Sequence, residues 1–259
     1  VHGQTLYALR AAGYAEQARQ EAAAWLRDHP ASATAQHLAP ALLDAPPPQR
    51  ASAPYVRATF DAFAESFDER LDTLGYHGPQ IVTQGLRSAR PHGAETLLDI
   101  GCGTGLVGPA VRGLVQRLEG LDLSPAMLAR AAERNVYDAL HEADAEAYLS
   151  AEEPRWDVVI AADVLIYLGD IQTLAAAVAG ALRADGLFIA TSEEADAETW
   201  ELQPSGRYRH SRRYLADVLA GVGLVVEQLD RVVLRHEGDR PVEALALVAR
   251  QPQSKGRYT

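Results

Sequence analysis

Residues 97–108 read LLDIGCGTGLVG: an apolar run, one acid at Asp99, then glycines at 101, 103, 105 and 108. Backbone without Cβ atoms lets a ligand lie close against it. Two readings overlap in these residues. One is a nucleoside-binding turn beginning at Gly101. The other is the G-x-G-x-x-G of Gly103, Gly105 and Gly108, which would cradle a dinucleotide pyrophosphate. In a dinucleotide fold the first glycine follows its strand closely. Here the strand ends near Ile100, so Gly103 comes too late and the turn reads from Gly101. An acid at the strand end attracts a positive ligand group, and a helix expected from about Leu106 offers free N–H groups to a carboxylate. A strand and helix that merely pack closely also need such a turn, so the glycines alone leave both readings standing.

Outward from this stretch, short β-rich runs alternate with helical patterns. Strands are expected at 96–100, 117–123, 137–142, 157–162, 187–191, 224–234 and 242–249, with helices near 105–115, 124–135, 170–184 and 211–221. This alternation predicts an α/β fold, a mostly parallel sheet with helices on both faces. Ligands then sit outside the carboxyl ends of the strands, where strand order reverses.

Further acids fall at those ends. In LEGLDLSPAML (118–128) the strand closes on Asp122, twenty-three residues past Asp99. Its carboxylate suits ribose hydroxyls, whether of NAD or another nucleoside. Leu123 and Met127 are candidates to flank an adenine ring, with plain helix core as the alternative for Met127. Asp144-Ala145 follows the third strand in HEADAEAYL (141–149), where Asp144 reads as a helix N-cap that leaves its carboxylate able to meet a ligand as well. His141, Glu142, Asp144 and Glu146 do not suggest a metal, because strand alternation sends them to opposite faces. In RWDVVIAADVLIYLGDI (155–171) an apolar strand ends at Ala161-Ala162-Asp163, and Tyr167 follows as a candidate pocket edge.

The bulk composition narrows the function. The chain has 259 residues, enough for one sizeable α/β domain and a small appendage. Its net charge of −11 argues against a nucleic-acid partner. Cys102 is the single cysteine, which excludes an internal disulfide or a Cys-based zinc site and suits a cytoplasmic setting. Inside the turn it reads as a small packing side chain. No stretch approaches a membrane span.

Residues 1–45 are Ala-rich and helical in pattern, and the spacing of Gly13, Ala18, Ala22, Trp25 and Pro30 resembles half of a tetratricopeptide repeat. A lone repeat cannot bury its own face, so it is expected to dock on the main domain or on another protein. Residues 46–53 form a Pro-rich linker. The main domain is expected over 54–250, opening with lid or cap helices at 54–90, and 251–259 is a tail. In 54–71, Tyr55, Phe63 and Phe67 are candidates for a lid that shields the ligand from water; ordinary helix core is the competing reading.

With these stretches together, D-x-G-x-G-x-G from Asp99 resembles the first motif of class I S-adenosylmethionine-dependent methyltransferases. YVRATFDAFAESFDERL with LGYHGP (74–79), IAADVLIYLGD (160–170) and SGRYRHS (205–211) are similar to bacterial methyltransferases carrying a tetratricopeptide-type N-terminus. The resemblance spans most of the chain. It implies a Rossmann-like seven-stranded sheet of order 3-2-1-4-5-7-6 with the last strand antiparallel, and S-adenosyl-L-methionine as cofactor. It further implies cofactor contacts from Asp99, Gly101, Cys102, Gly103, Thr104, Gly105, Asp122, Leu123, Met127, Asp144, Ala145, Ala162 and Asp163, beneath a lid of Tyr55, Phe63 and Phe67. The fourth motif is not the Asn/Asp-Pro-Pro-aromatic form that grips a planar amino group, so nucleic-acid amino methylation is not expected.

The expected reaction is methyl transfer to O or N of a small-molecule acceptor. His210 and Tyr167 are the candidate catalytic residues, with Arg207, Tyr208 and Tyr167 on the substrate. His titrates nearest neutrality, and the arginines of SGRYRHSRRYL suggest an anionic acceptor. The alternative for that stretch is a helix cap at His210 and a solvated basic face. Two other functions stay open: a protein-directed methyltransferase or scaffold that binds a partner through residues 1–45, and an NAD-dependent oxidoreductase.

Overall fold

The computed structural model describes residues 2–43, 45–151 and 153–253. Asp44 of the expected extension and residues 254–259 of the expected tail lie outside the described residues.

The chain opens with α1 (His2–Ala11), α2 (Ala15–Asp28), α3 (Ala33–Leu38) and α4 (Pro40–Leu43). Gly13, at φ +80°, makes the turn between the first two. Leu6, Ala18, Ala22, Trp25, Ala35 and Ala39 bury a small core of their own. This unit docks on the main body through α3: the His37 ring donates from Nε2 to the Gly206 carbonyl at 2.7 Å and packs 4.2 Å from the Tyr55 ring.

The 54–90 region folds as α5 (Ala53–Phe63), α6 (Phe67–Thr73) and α7 (Gly78–Ala89). The sheet then begins: β1 (Ala94–Ile100), α8 (Gly108–Val111), β2 (Val115–Asp122), α9 (Pro125–Glu133), β3 (Ala139–Glu142), α10 (Ala145–Ser150) and β4 (Trp156–Ala161). It continues with α11 (Gln172–Ala181), β5 (Leu182–Glu193), β6 (Trp200–Leu202), β7 (Tyr208–His210), α12 (Arg212–Gly221), β8 (Val225–Glu237) and β9 (Arg240–Arg250).

Seven strands form one sheet in the order β3-β2-β1-β4-β5-β9-β8. The first five run parallel, and β9 is antiparallel to both β5 and β8. Counted within this sheet alone, the order is 3-2-1-4-5-7-6 with a reversed last strand, as the resemblance implies. Leu97 sits beside Val158, and Asp99 lies level with Gly120 and Ile160. The central strands are buried on both faces, as a helix-covered parallel sheet requires. Leu98, Ile100, Val159 and Phe188 pack toward α11 and α12; Leu97, Val158, Ile160 and Ile189 pack toward Val82 and Leu86 of α7. Among the described residues no helix is long and apolar enough to cross a membrane.

Two expectations change. The helix expected at 105–115 is the short α8 followed by a 3-10 turn at Arg112–Leu114, so no long helix starts at Leu106. The β6–β7 hairpin was not expected. It brings the 200–210 stretch across the end of β4 and β5, with Ala195 N–H donating to the His210 carbonyl at 3.0 Å.

Candidate active site

A cavity of about 220 Å³ opens at the carboxyl ends of the parallel strands, where strand order reverses between β1 and β4. Asp99, Asp122, Asp144 and Asp163 all line it, together with Gly101, Cys102, Gly103 and Thr104 of the turn and with Leu123, Ala145 and Ala162.

The turn needs its glycines. Gly101 and Gly103 stand at φ +60° and +55°, where a side chain is strained. A Cβ at Gly103 would meet only Phe67 Cε1, at 3.8 Å, so it would project into the cavity. Gly103 N–H donates to Asp122 Oδ2 at 2.9 Å and Ser124 N–H to Oδ1 at 2.8 Å, fixing that carboxylate against the turn. Asp99 is 1% exposed and accepts from the Tyr137 hydroxyl at 2.7 Å.

Burial pushes the Asp99 carboxyl up to about 7; the Tyr137 hydrogen bond holds it down and the Asp122 charge adds to the rise. Asp122 is raised too, again first by burial, against its backbone hydrogen bonds. Among the described residues neither carboxylate has a cationic partner. The pair therefore suits a ligand that brings positive charge and hydroxyl donors. The Cys102 thiol is pushed well above its ordinary value by burial and by Asp99 and Asp122, so it is an inert packing group.

Asp144 caps α10, with Oδ1 accepting from Glu146 N–H at 3.1 Å and Ala147 N–H at 3.2 Å. Its other oxygen accepts from Arg50 Nη2 at 2.5 Å, and Arg50 Nη1 reaches Glu146. Arg50 belongs to the linker, which is held by main-chain bonds from Ala51 N–H to the Tyr167 carbonyl and from Gly169 and Asp170 N–H to the Gln49 carbonyl.

The segment expected as a lid forms two helices, α5 and α6, broken at residues 64–66. Asp61 accepts from Ser124 Oγ at 2.5 Å, and Asp68 accepts from Thr104 Oγ1 at 2.5 Å and pairs with Arg134. Each contact ends on a loop that carries a cofactor-site candidate. Phe60 and Phe67 line the cavity.

The opposite wall is built by residues far apart in sequence. Arg235 of β8 is 2% exposed and pairs with Glu193 of β5, with Asp163 at 3.4 Å and with Glu237 at 3.4 Å. A register shift between Val233 and Arg235 turns that side chain inward. Arg207 pairs with Glu237 at 2.6 Å and Glu193 at 3.6 Å. Tyr76 and Tyr167 complete the wall.

Several expected site residues stand elsewhere. His210 is fully buried in β7; its Nδ1 accepts from Ser192 Oγ at 2.8 Å and its Nε2 donates to the Gly169 carbonyl at 3.1 Å, a tautomer assigned from these partners. Burial drives its pKa down to about 4, so it is a neutral strut, not a base at the cavity. The helix cap at this point is Ser211, which accepts from Tyr214 N–H. Tyr208 is buried, donating to the Pro48 carbonyl at 2.6 Å. Met127 is fully buried helix core, and Gly105, at φ +82°, packs on Tyr137 and Arg134 outside the cavity lining. Tyr55 packs on His37, and Phe63, 38% exposed, lies under the Arg70 guanidinium. The arginine cluster is not free for an anion: Arg207 and Arg209 serve Glu193, and Arg213 pairs with Asp217. Sequence reasoning missed Arg50, Tyr76 and Arg235. Tyr76 lay inside the quoted LGYHGP and could have been found; an inward arginine at a strand bulge leaves no signal.

The sequence between these landmarks matches known proteins. Residues 98–188 match the family described as a methyltransferase domain. The chain is 38% identical over 86 residues to human methyltransferase-like protein 27, covering 31% of this chain and 34% of that protein. It therefore spans about a third of that relative's length. It is 25% identical over 188 residues to a ubiquinone biosynthesis O-methyltransferase of Thiobacillus denitrificans, covering 62% of this chain and 81% of the relative. Among solved structures, 1,6-didemethyltoxoflavin-N1-methyltransferase of Burkholderia thailandensis, crystallised with S-adenosylhomocysteine, superposes with a TM-score of 0.62. That pair is 20% identical and covers 80% of this chain and 93% of the other. The shared architecture is the Rossmann-like methyltransferase fold.

Proposed function

We propose that the protein is an S-adenosylmethionine-dependent methyltransferase acting on O or N of a small-molecule acceptor. One observation carries the reading: Asp99 and Asp122, buried at neighbouring strand tips against a side-chain-free turn, have no cationic partner among the described residues. A ligand with an ammonium and ribose hydroxyls fits that donor set. A dinucleotide pyrophosphate does not, because it would bring negative charge against two carboxylates, and α8 is too short to supply an opposing dipole.

In this reading Asp99 faces the amino-acid end of the cofactor, Asp122 the ribose, and Asp144 with Ala145 the base, while Gly101, Gly103 and Thr104 supply close backbone. Bound there, the cofactor supplies a methyl carbon activated by its sulfonium. The chain's own residues chiefly align and dry the site, effects worth up to roughly 7–11 kcal/mol. Phe60 and Phe67 of the lid exclude water, and Asp61 and Asp68 fasten it.

Calorimetric titration with S-adenosylmethionine, S-adenosylhomocysteine and NAD tests the proposal. Heat with the first two and none with NAD is expected; the reverse overturns it. The helical unit at 2–43, read as a degenerate tetratricopeptide-like pair, is the proposed contact for any protein partner. Tyr7 and Tyr14, 74% and 55% exposed, are the side chains that would meet one.

A further inference from the structure

Three polar groups on the cavity wall opposite the glycine turn are not satisfied by the protein. The Asp163 carboxylate is about a fifth exposed; its Oδ1 has no hydrogen-bond partner, and its Oδ2 has only the 3.4 Å contact with Arg235. Its backbone stands at φ +61°, held by the bond from Asp163 N–H to Thr191 Oγ1 at 2.9 Å. Tyr76 and Tyr167 line the same cavity, and among the described residues neither hydroxyl has a hydrogen-bond partner. Both hydroxyls are raised in pKa, chiefly by burial and then by the Asp163 charge, which places the three groups within electrostatic reach of one another. Phe60, Phe67, Leu71, Leu74, Val164 and Ile166 supply the surrounding apolar surface.

We propose that Asp163, Tyr76 and Tyr167 form the acceptor subsite, and that they take a hydroxyl carried on an uncharged, largely apolar body. This rests on the methyltransferase reading above. A carboxylate only accepts hydrogen bonds, while a tyrosine hydroxyl donates one and accepts others. A hydroxyl group, with one O–H and two lone pairs, answers all three at once. An ammonium would leave both tyrosine donors unmatched, and a carboxylate would leave Asp163 unmatched and repelled. The guanidiniums nearby do not alter this, because Arg207, Arg209 and Arg235 face Glu193, Glu237 and Asp163, three charges against three. The Cβ–Cγ torsion of an aspartate is soft, so either oxygen can be turned to the ligand. One tyrosine hydrogen bond gives way to free a lone pair; as that pair forms the bond from the hydroxyl oxygen to the methyl carbon, the proton passes to the Asp163 carboxylate and the C–S bonding pair stays on sulfur. The products are a methyl ether, a protonated carboxyl and a neutral thioether.

The probe is 4-nitrophenol, whose visible band reports its phenolate form. It is titrated at the pH where the free probe is half ionised, with saturating S-adenosylhomocysteine whose own binding is first measured by calorimetry. Wild-type protein is expected to withdraw the neutral phenol, so the phenolate band falls. Asp163→Asn tolerates the left-handed backbone and leaves the guanidiniums in excess, so the band is expected to rise. Tyr76→Phe and Tyr167→Phe are each expected to weaken probe binding about fivefold. A rising band with wild-type protein, an identical response from Asp163→Asn, or no response at all overturns the proposal. If S-adenosylhomocysteine fails to bind, the cofactor reading falls, and the same titration without it still decides the subsite.

Discussion

Replacing Asp99 with asparagine tests the electrostatic core of the site. In the folded protein its carboxyl stands near 7, against an ordinary 3.8, a difference of about 4 kcal/mol. Between about pH 4 and about pH 7 the native state keeps a proton that the unfolded chain has lost. The stability this proton provides is complete below pH about 4 and is lost as pH rises through about 7. Above that, the ligand-free protein carries the whole cost of the buried charge. Asp99→Asn removes the charge and keeps an acceptor for the Tyr137 hydroxyl, but it buries an amide N–H₂ at a cost of about 1–3 kcal/mol. The variant is therefore expected to be more stable than wild type by about 1–3 kcal/mol at pH about 8 and less stable near pH about 4. Urea denaturation followed by circular dichroism across that range measures the difference. A difference that does not change with pH would refute the reasoning, because the other raised carboxyls, Asp122 and Asp163, are present in both proteins.

The same titration governs the ligand. If the ionised Asp99 meets the ammonium of S-adenosylhomocysteine, affinity in wild type should rise about eightfold from pH about 6 to pH about 7.5, following the ionised fraction. The rise should disappear in Asp99→Asn, which binds more weakly at every pH.

Four further outcomes are expected. His210→Ala should cost about 2–4 kcal/mol of stability by stranding Ser192 Oγ and the Gly169 carbonyl; thermal denaturation reads the loss, and the acceptor KM of the folded fraction should not move. Gly101→Ala puts a Cβ 2.6 Å from Val164 Cγ2 at φ +60° and should cost about 1–3 kcal/mol and cofactor affinity. Gly113→Ala, with nothing within 4 Å of the added atom, should do neither in the same calorimetric and denaturation assays. Arg50→Ala breaks the pairs to Asp144 and Glu146 and should speed hydrogen exchange in residues 46–63, read by mass spectrometry.

The layered sheet was legible because short apolar runs recur with an acid at or just past the carboxyl end: LLDI holds Asp99, LEGLD closes on Asp122, and Asp163 follows two residues after WDVVIA. The side of the site proposed for the nucleoside inherits that clarity, since Asp99, Asp122 and Asp144 sit at or just past the ends of their strands. The acceptor side does not. Its wall comes from the lid loop, from a bulge in β8 and from the end of β4, and none of these shares a local pattern. His210 misled for a physical reason: a histidine among arginines looks solvated, whereas β7 pairs inward and buries it between Ser192 and Gly169. Arg207 and Arg209 misled in the same way, because their carboxylate partners Glu193 and Glu237 lie in β5 and β8. The helix expected over 105–115 falls short because α8 spans only Gly108–Val111 before a 3-10 turn at Arg112–Leu114 leads directly into β2.

The two halves of the cavity differ in how charge is compensated, and that difference orders the events of binding. On the acceptor side every guanidinium already faces a carboxylate. On the side of the glycine turn Asp99 and Asp122 face none among the described residues, and Asp61 of α5 adds a carboxylate that pushes the Asp122 carboxyl upward, whereas Asp68 is paired with Arg134. Asp61, Asp99 and Asp122 therefore gather like charges in a largely buried space, where repulsion is least screened. Placing a cation between them reverses the sign of that interaction. In the proposed function this couples cofactor binding to the seating of the helices at 53–73, and the hydroxyl acceptor proposed above meets guanidiniums that are already paired.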